Sequence, residues 1–355
     1  MGKRTGIIIG AAIAALALPA ASQAATRTVY MGPPPAAQKS LDPTGSDVNA
    51  FFPTTISVHK GDLVSFVAGG LHSLDMPPAA GRPLPLFSPT PKTISLFDAA
   101  GVPFWFNGQP ELAFTRGFLP PRFGRTVTKG PARILSGVPF RIKPKPLKIR
   151  FIKAGNFRYY CNLHPHMEGT VKVRAKTTRV PSAKAVAATV KKQVASALRI
   201  AKTLVANTQV PANSVSVSAE GAQGVSYFGM LPQNLTVAAG TTVRFFMPKG
   251  STEEHTATFG PGDVDDTTSF LGGLAALLEQ PIPDQRALYP SEPPGSAPAS
   301  MSPALHGDGF WNSGALDDVP PSPLPLSGDL TFNEPGIYPY VCLIHPAMKA
   351  TVTVQ

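Results

Sequence analysis

Two short segments of the 355-residue chain carry a thiol, an imidazole and a thioether at the same spacing. Cys161, His164 and Met167 stand in Y-Y-C-N-L-H-P-H-M; Cys342, His345 and Met348 stand in Y-V-C-L-I-H-P-A-M. Each segment follows one strand-like run and precedes another, so each set sits on a short loop where its side chains can converge. A fourth donor must come from elsewhere in the sheet. His255, opening H-T-A-T-F, is the candidate for the second set, and His72, in L-H-S-L-D-M, for the first. The upstream histidine precedes its cysteine by 89 residues in the first set and 87 in the second. One thiolate and two imidazoles in a trigonal plane, with a weak axial thioether, form the donor set of a redox-active copper. Zinc also takes cysteine and histidine, but a methionine at the same place in both sets favours copper. The expectation is two copper ions, one per set.

The other three histidines lack a matching partner. His59 competes with His72 as the upstream ligand. It lies in a strand-turn, however, and its counterpart is Ala238, which reads as a surface position. His306 reads as surface too. His166 falls within the first loop, where the second has Ala347, and reads as a surface imidazole near the metal.

An internal repeat supplies the elements that must position these donors. I-S-V-H-K-G-D-L-V-S-F from Ile56 matches L-T-V-A-A-G-T-T-V-R-F from Leu235, both strand-turn-strand in pattern. The segment from Ala154 to Val173 matches Pro335 to Val354. The pattern predicts two all-β domains, 27–176 and 213–355, with long inserted loops. Residues 177–212 link them through the one long helix, Ser182 to Ala206, capped by Ser182 and stopped near Asn207. Its apolar stripe, from Val186 to Leu204, predicts packing against a domain. The inserts share a short aromatic element, F-W-F-N-G from Phe104 and F-W-N-S-G from Phe310, expected to plug each loop onto its sandwich.

Composition agrees with a loop-rich β protein: 40 prolines and 32 glycines are many, yet too few for a low-complexity chain. Residues 1–24 read as a secretion signal. Lys3 and Arg4 precede an apolar run, and Ser22-Gln23-Ala24 suits cleavage. The expected location is therefore periplasmic, cell-surface or extracellular. No cysteine lies near that point to carry a lipid. The only two cysteines each sit in a copy of one motif, so a disulfide between them is the less economical use. The net charge of +11 conceals two poles. Residues 27–176 carry 20 Lys+Arg against 7 Asp+Glu, while 213–355 carry 4 against 14. An acidic half argues against a nucleic-acid partner. The poles predict a partly electrostatic docking of the two domains. The surplus on Arg141, Lys143, Lys145, Lys148, Arg150 and Lys153 predicts an acidic redox partner or an anionic cell surface.

The C-x2-H-x2-M loop with proline after the histidine resembles the ligand loop of amicyanin and, more broadly, of the plastocyanin/azurin cupredoxin family. The Tyr338-x-Tyr340-x-Cys342 approach is similar to that family as well. The resemblance covers about 50 residues in each half. It implies Greek-key β-sandwiches, copper held by His72, Cys161, His164 and Met167 and by His255, Cys342, His345 and Met348, and electron exit through the loop histidines. The implied function is single-electron transfer, not an enzyme activity. Copper storage or delivery is the alternative. A two-domain copper oxidase or nitrite reductase would need a histidine beside the cysteine and paired H-x-H segments. Neither cysteine has such a neighbour, and the one H-x-H is His164-Pro165-His166.

Overall fold

Ile56 and Val58 are buried along Thr55–His59 while the residues between them are not, and Leu147, Ile149 and Phe151 alternate in the same way along Leu147–Phe151. A strand's period of two sends such residues to one face, and two such faces close over a shared core. The computed structural model describes residues 24–78, 81–129, 132–140, 142–318 and 324–355. The expected signal segment up to residue 23, and Arg141 of the basic cluster, lie outside them. Among the described residues no helix is long and apolar enough to cross a membrane.

The architecture is all-β, two sandwiches with few helices. In the N-terminal one, Leu63–Ala68 runs parallel to Thr26–Met31 and antiparallel to Leu147–Phe151, with Phe51–Phe52 and Thr126–Lys129 at the edges. The facing sheet sets Glu168–Arg174 parallel to Thr55–His59 and antiparallel to Gly155–Tyr160, followed by Asp75–Met76 and Ile134–Leu135. Val29, Phe66 and Ile149 of one sheet meet Ile56, Tyr159 and Val171 of the other.

The C-terminal sandwich pairs its strands in the same senses. Thr241–Phe246 runs parallel to Ser214–Ser216 and antiparallel to Ser327–Phe332, with Ala299–Met301 beyond. Opposite, Lys349–Val354 runs parallel to Asn234–Val237 and antiparallel to Gly336–Val341, then Thr258–Phe259 and Trp311–Asn312. Its core brings Val243, Phe245 and Leu330 against Phe259, Tyr340 and Val352.

The helix expected from the sequence runs Ala183–Asn207, and the Ser182 hydroxyl accepts from the Ala185 N–H at 3.2 Å. Ala197, Ala201 and Leu204 form its buried stripe. They pack on Leu41, Val48 and Phe52 from the N-terminal half and on Ala219 and Val225 from the C-terminal half. Beside it a small sheet joins the halves: Ala219–Glu220 pairs with Val225–Tyr227, which pairs with Ser46–Val48. The ion pairs Arg133–Asp75, Arg158–Glu168, Arg244–Asp329, Arg286–Asp284 and Lys349–Asp265 each stay within one half. The joint thus consists largely of strand pairing and apolar packing, and the carboxylates that cross it meet histidines.

One of those histidines is His306. Instead of lying free at the surface, it sits between Asp98 and Glu292, 3.1 Å from each, against the Phe104 ring. The aromatic element also differs from expectation. Phe104 and Phe106 pack not on their own sandwich but with Phe310, Leu271, Leu274 and Ala287 of the other half. The backbone counterpart of Phe310–Gly314 is the segment ending in Ser136-Gly137. Ile134–Leu135 pairs with Asp75–Met76 as Trp311–Asn312 pairs with Thr258–Phe259. The shared F-W letters do not mark equivalent positions, because apolar contacts tolerate many backbone settings whereas strand pairing does not.

Candidate metal centres

The strand Gly155–Tyr160 ends one residue before Cys161, and its last residue, Tyr160, pairs with Asp75. That pairing carries the segment before Asp75 past the thiol. The Ser73 N–H donates to Cys161 Sγ at 3.4 Å, and the Asn162 N–H donates to Ser73 Oγ at 2.8 Å. His72 is thereby fixed beside the loop. Its Nδ1 faces His164 Nδ1 at 2.9 Å, and His164 Nδ1 lies 3.3 Å from Cys161 Sγ. The Met167 N–H donates to the His164 carbonyl, and the Met167 carbonyl accepts from the Cys161 N–H. These two bonds close the loop and bury the thioether. All four side chains are buried.

The second centre is built by the same connections. Val341 pairs with Thr258, the Thr256 N–H donates to Cys342 Sγ at 3.3 Å, and the Leu343 N–H donates to Thr256 Oγ1 at 2.8 Å. His255 Nδ1 and His345 Nδ1 face each other at 3.1 Å, each 3.8 Å from Cys342 Sγ. Met348 closes the loop through the same two backbone bonds. Behind each centre a serine ties down the strand after the upstream histidine. Ser136 Oγ accepts from Leu74 N–H at 2.7 Å, and Ser313 Oγ from Ala257 N–H at 2.9 Å.

The upstream imidazoles are held by packing. Neither His72 Nε2 nor His255 Nε2, both buried, has a hydrogen-bond partner. Gly32, at φ +79°, passes so close that a Cβ there would run into His72 Nε2. His255 and His345 lie against the Phe228 ring, at centroid distances of 5.7 and 4.9 Å. The loop histidines instead share one carboxylate. His164 Nε2 lies 2.8 Å from Glu253 Oε2, and His345 Nε2 lies 3.5 Å from Glu253 Oε1.

Electrostatics prepare both sulfurs as thiolates. Burial raises the Cys161 thiol, but the charge and hydrogen bonds of His164 and His72 outweigh it and hold the thiol well below the usual range. Burial is likewise overcome at Cys342, by His255 and His345. Burial works against a charged His345 ring, yet hydrogen bonds to Cys342 and Glu253 push its pKa up to about 10. Glu253 is held well below the carboxylate range despite its burial, by His164 and His345. A thiolate beside two Nδ1 atoms that face one another is a donor set a cation would satisfy. The residues present fit a copper ion in each centre.

The structure brings His72, Cys161 and His164 within ligating reach of one another, and likewise His255, Cys342 and His345. His59 lies elsewhere, at the end of Thr55–His59, with Nε2 2.8 Å from the Thr178 carbonyl. His166 is exposed, at φ +63°. Sequence reasoning missed Ser73 and Thr256, although each directly follows its histidine, and the Ser-Gly pairs 136–137 and 313–314. It also missed Glu253, for which no repeated pattern gives a signal.

The loop histidines, through which the resemblance implies electron exit, differ in exposure. The His164 side chain is 5 % exposed and that of His345 21 %, and both Nε2 edges turn toward Glu253 rather than open solvent.

No family model matches the sequence, and no curated protein does. Among solved structures, the Cu(I) form of a methionine-to-alanine mutant of amicyanin is 18 % identical. The match covers 42 % of this chain and 89 % of that one, at a TM-score of 0.20. Amicyanin from Paracoccus versutus (Thiobacillus versutus) is 17 % identical, covering 42 % and 88 %, at 0.21. A mutant plastocyanin of fern, solved oxidized and reduced, is 20 % identical, covering 40 % and 99 %, at 0.21. Scores this low add nothing to the sandwiches, which rest on their own sheets.

Proposed function

We propose that this chain is an exported copper protein, a duplicated cupredoxin-like unit whose two type 1 centres move single electrons. The first copper is held by His72, Cys161, His164 and Met167, the second by His255, Cys342, His345 and Met348. The observation that carries this reading is the pair of buried His-Cys-His clusters, assembled by the same backbone connections in two separate sandwiches. When bound, copper supplies a one-electron couple. The chain's own part is to keep the donors nearly fixed whichever oxidation state is present. The strand pairs set the cysteine, the hydrogen bond from Ser73 or Thr256 holds the sulfur, and the closed loop sets histidine and methionine.

Transfer rather than turnover is the reading because neither cysteine adjoins a histidine. Lys143, Lys145, Lys148 and Lys153 are exposed, and with Arg150 they offer a basic face to an acidic redox partner or an anionic cell surface. The deciding experiment is the reduction potential and self-exchange rate of the copper-loaded protein. Reversible one-electron waves with fast self-exchange support transfer. Slow exchange with ready copper release to a chelator supports storage or delivery, and turnover of oxygen or nitrite supports an enzyme.

A further inference from the structure

The joint between the sandwiches holds a carboxylate that belongs to neither loop. Ser251–Glu254 leads into His255, yet Glu253 reaches across to His164 of the other half and back to His345 of its own. Each oxygen serves a different ring: Oε2 lies 2.8 Å from His164 Nε2, and Oε1 lies 3.5 Å from His345 Nε2. Asn49, from the N-terminal half, fixes the segment by donating to the Thr252 hydroxyl at 3.1 Å and to Glu253 Oε2 at 3.4 Å. Glu253 is 6 % exposed. A buried carboxylate is costly unless paired, and its two ionic partners are the outer nitrogens of the two loop imidazoles.

We propose that Glu253 is a shared positioning residue that makes the two centres one coupled redox pair. This rests on the proposed copper reading. A carboxylate at Nε2 keeps the proton there and leaves Nδ1 free to face the thiolate, and it raises the basicity of the ring. Here one carboxylate does so for both rings. It also sets one negative charge one imidazole away from each centre. A buried negative charge favours the more positive, oxidised state of a metal centre. Removing it should therefore raise both potentials from a single substitution. The electron count is unaffected, one per centre.

The test compares wild type with Glu253→Gln, which keeps shape and loses charge, by copper analysis followed by redox titration in the visible. Failure of the wild type to bind two coppers sinks the underlying reading and is seen before any variant is made. Given two coppers, the expected result is that the oxidised-to-reduced equilibrium at each centre shifts at least tenfold toward reduced, which is 59 mV for one electron. Loss of copper from both centres together in a folded variant also supports the bridge. Two loaded centres of which one or neither shifts overturns it. A lower unfolding temperature with unchanged potentials would make Glu253 a structural tie and nothing more. A second measurement needs no variant. Nitrogen NMR of the metal-free wild type should show slowly exchanging Nε2–H protons on His164 and His345 both, and their absence on either ring contradicts the proposal.

Discussion

The two centres share a plan but differ in what surrounds it. The N-terminal one is closed: His164 is sealed by the opposite half, and the backbone of Gly32 lies directly on His72. Its Nδ1 atoms are 2.9 Å apart and one stands 3.3 Å from the sulfur. The C-terminal one is looser, with both nitrogens 3.8 Å from the sulfur. His345 also borders a cleft of about 440 Å³ walled by Leu71, Phe114, Leu163, Leu278 and Ile344. The same ligand frame therefore serves a sealed centre and an accessible one, and the difference comes from how the halves meet. Electrons from a small donor should enter at His345.

The largest expected effect follows from that contrast. In Cys161→Ser only the accessible centre remains, and in Cys342→Ser only the sealed one. Stopped-flow reduction by a small soluble donor should be at least tenfold faster in the first variant, a difference of about 1.4 kcal/mol in barrier. Equal rates would mean that the burial of His164 does not limit access.

The contrast also needs the joint to stay closed, and Glu220 reports on the joint. It lies in the sheet that spans the halves and accepts from Ser218, Ser226 and Thr252. Burial outweighs those bonds and pushes its pKa up to about 7 from 4.5. Between those values the folded chain holds a proton that the unfolded chain has released. Stability from this group is thus present below about pH 4.5 and is lost as pH rises through about 7. One-proton linkage puts the loss at about 3 kcal/mol. Denaturant titrations of metal-free Glu220→Gln should show a flatter stability profile than wild type from pH 5 to 8. Parallel profiles would remove Glu220 from the account.

Smaller effects should separate the centres one at a time. Gly32→Ala puts a side chain into the left-handed region, at a cost of about 1–2 kcal/mol, and against His72. It should perturb the visible band of the sealed centre alone. Phe228→Ala should perturb only the accessible one, where the ring faces His255 and His345. A variant that alters both bands equally would deny that the surroundings are separate.

What the sequence disclosed and what it hid follow a physical division. Cys161, His164 and Met167 are neighbours in sequence, as are their counterparts, so local pattern sufficed. The long helix was legible because its stripe and its Ser182 cap are local too. His72 stayed open to challenge from His59, since strand pairing over 89 residues decides it, yet H-S and H-T after the two histidines already marked the match. Glu253, the pairing of Ser46–Val48 with Val225–Tyr227, and the place of His306 all depend on contacts between halves. Their elements are too short to leave a periodicity. The charge poles were real in the sequence, but burial of apolar surface rather than long-range attraction makes most of the joint.

The most direct measurement is copper content together with the visible spectrum of the loaded protein and of its two single-cysteine variants. Two coppers per chain, an intense thiolate-to-copper band, and loss of one component of that band in Cys161→Ser and of the other in Cys342→Ser are the predicted results. A single copper, or a colourless protein that takes zinc in its place, would contradict the account.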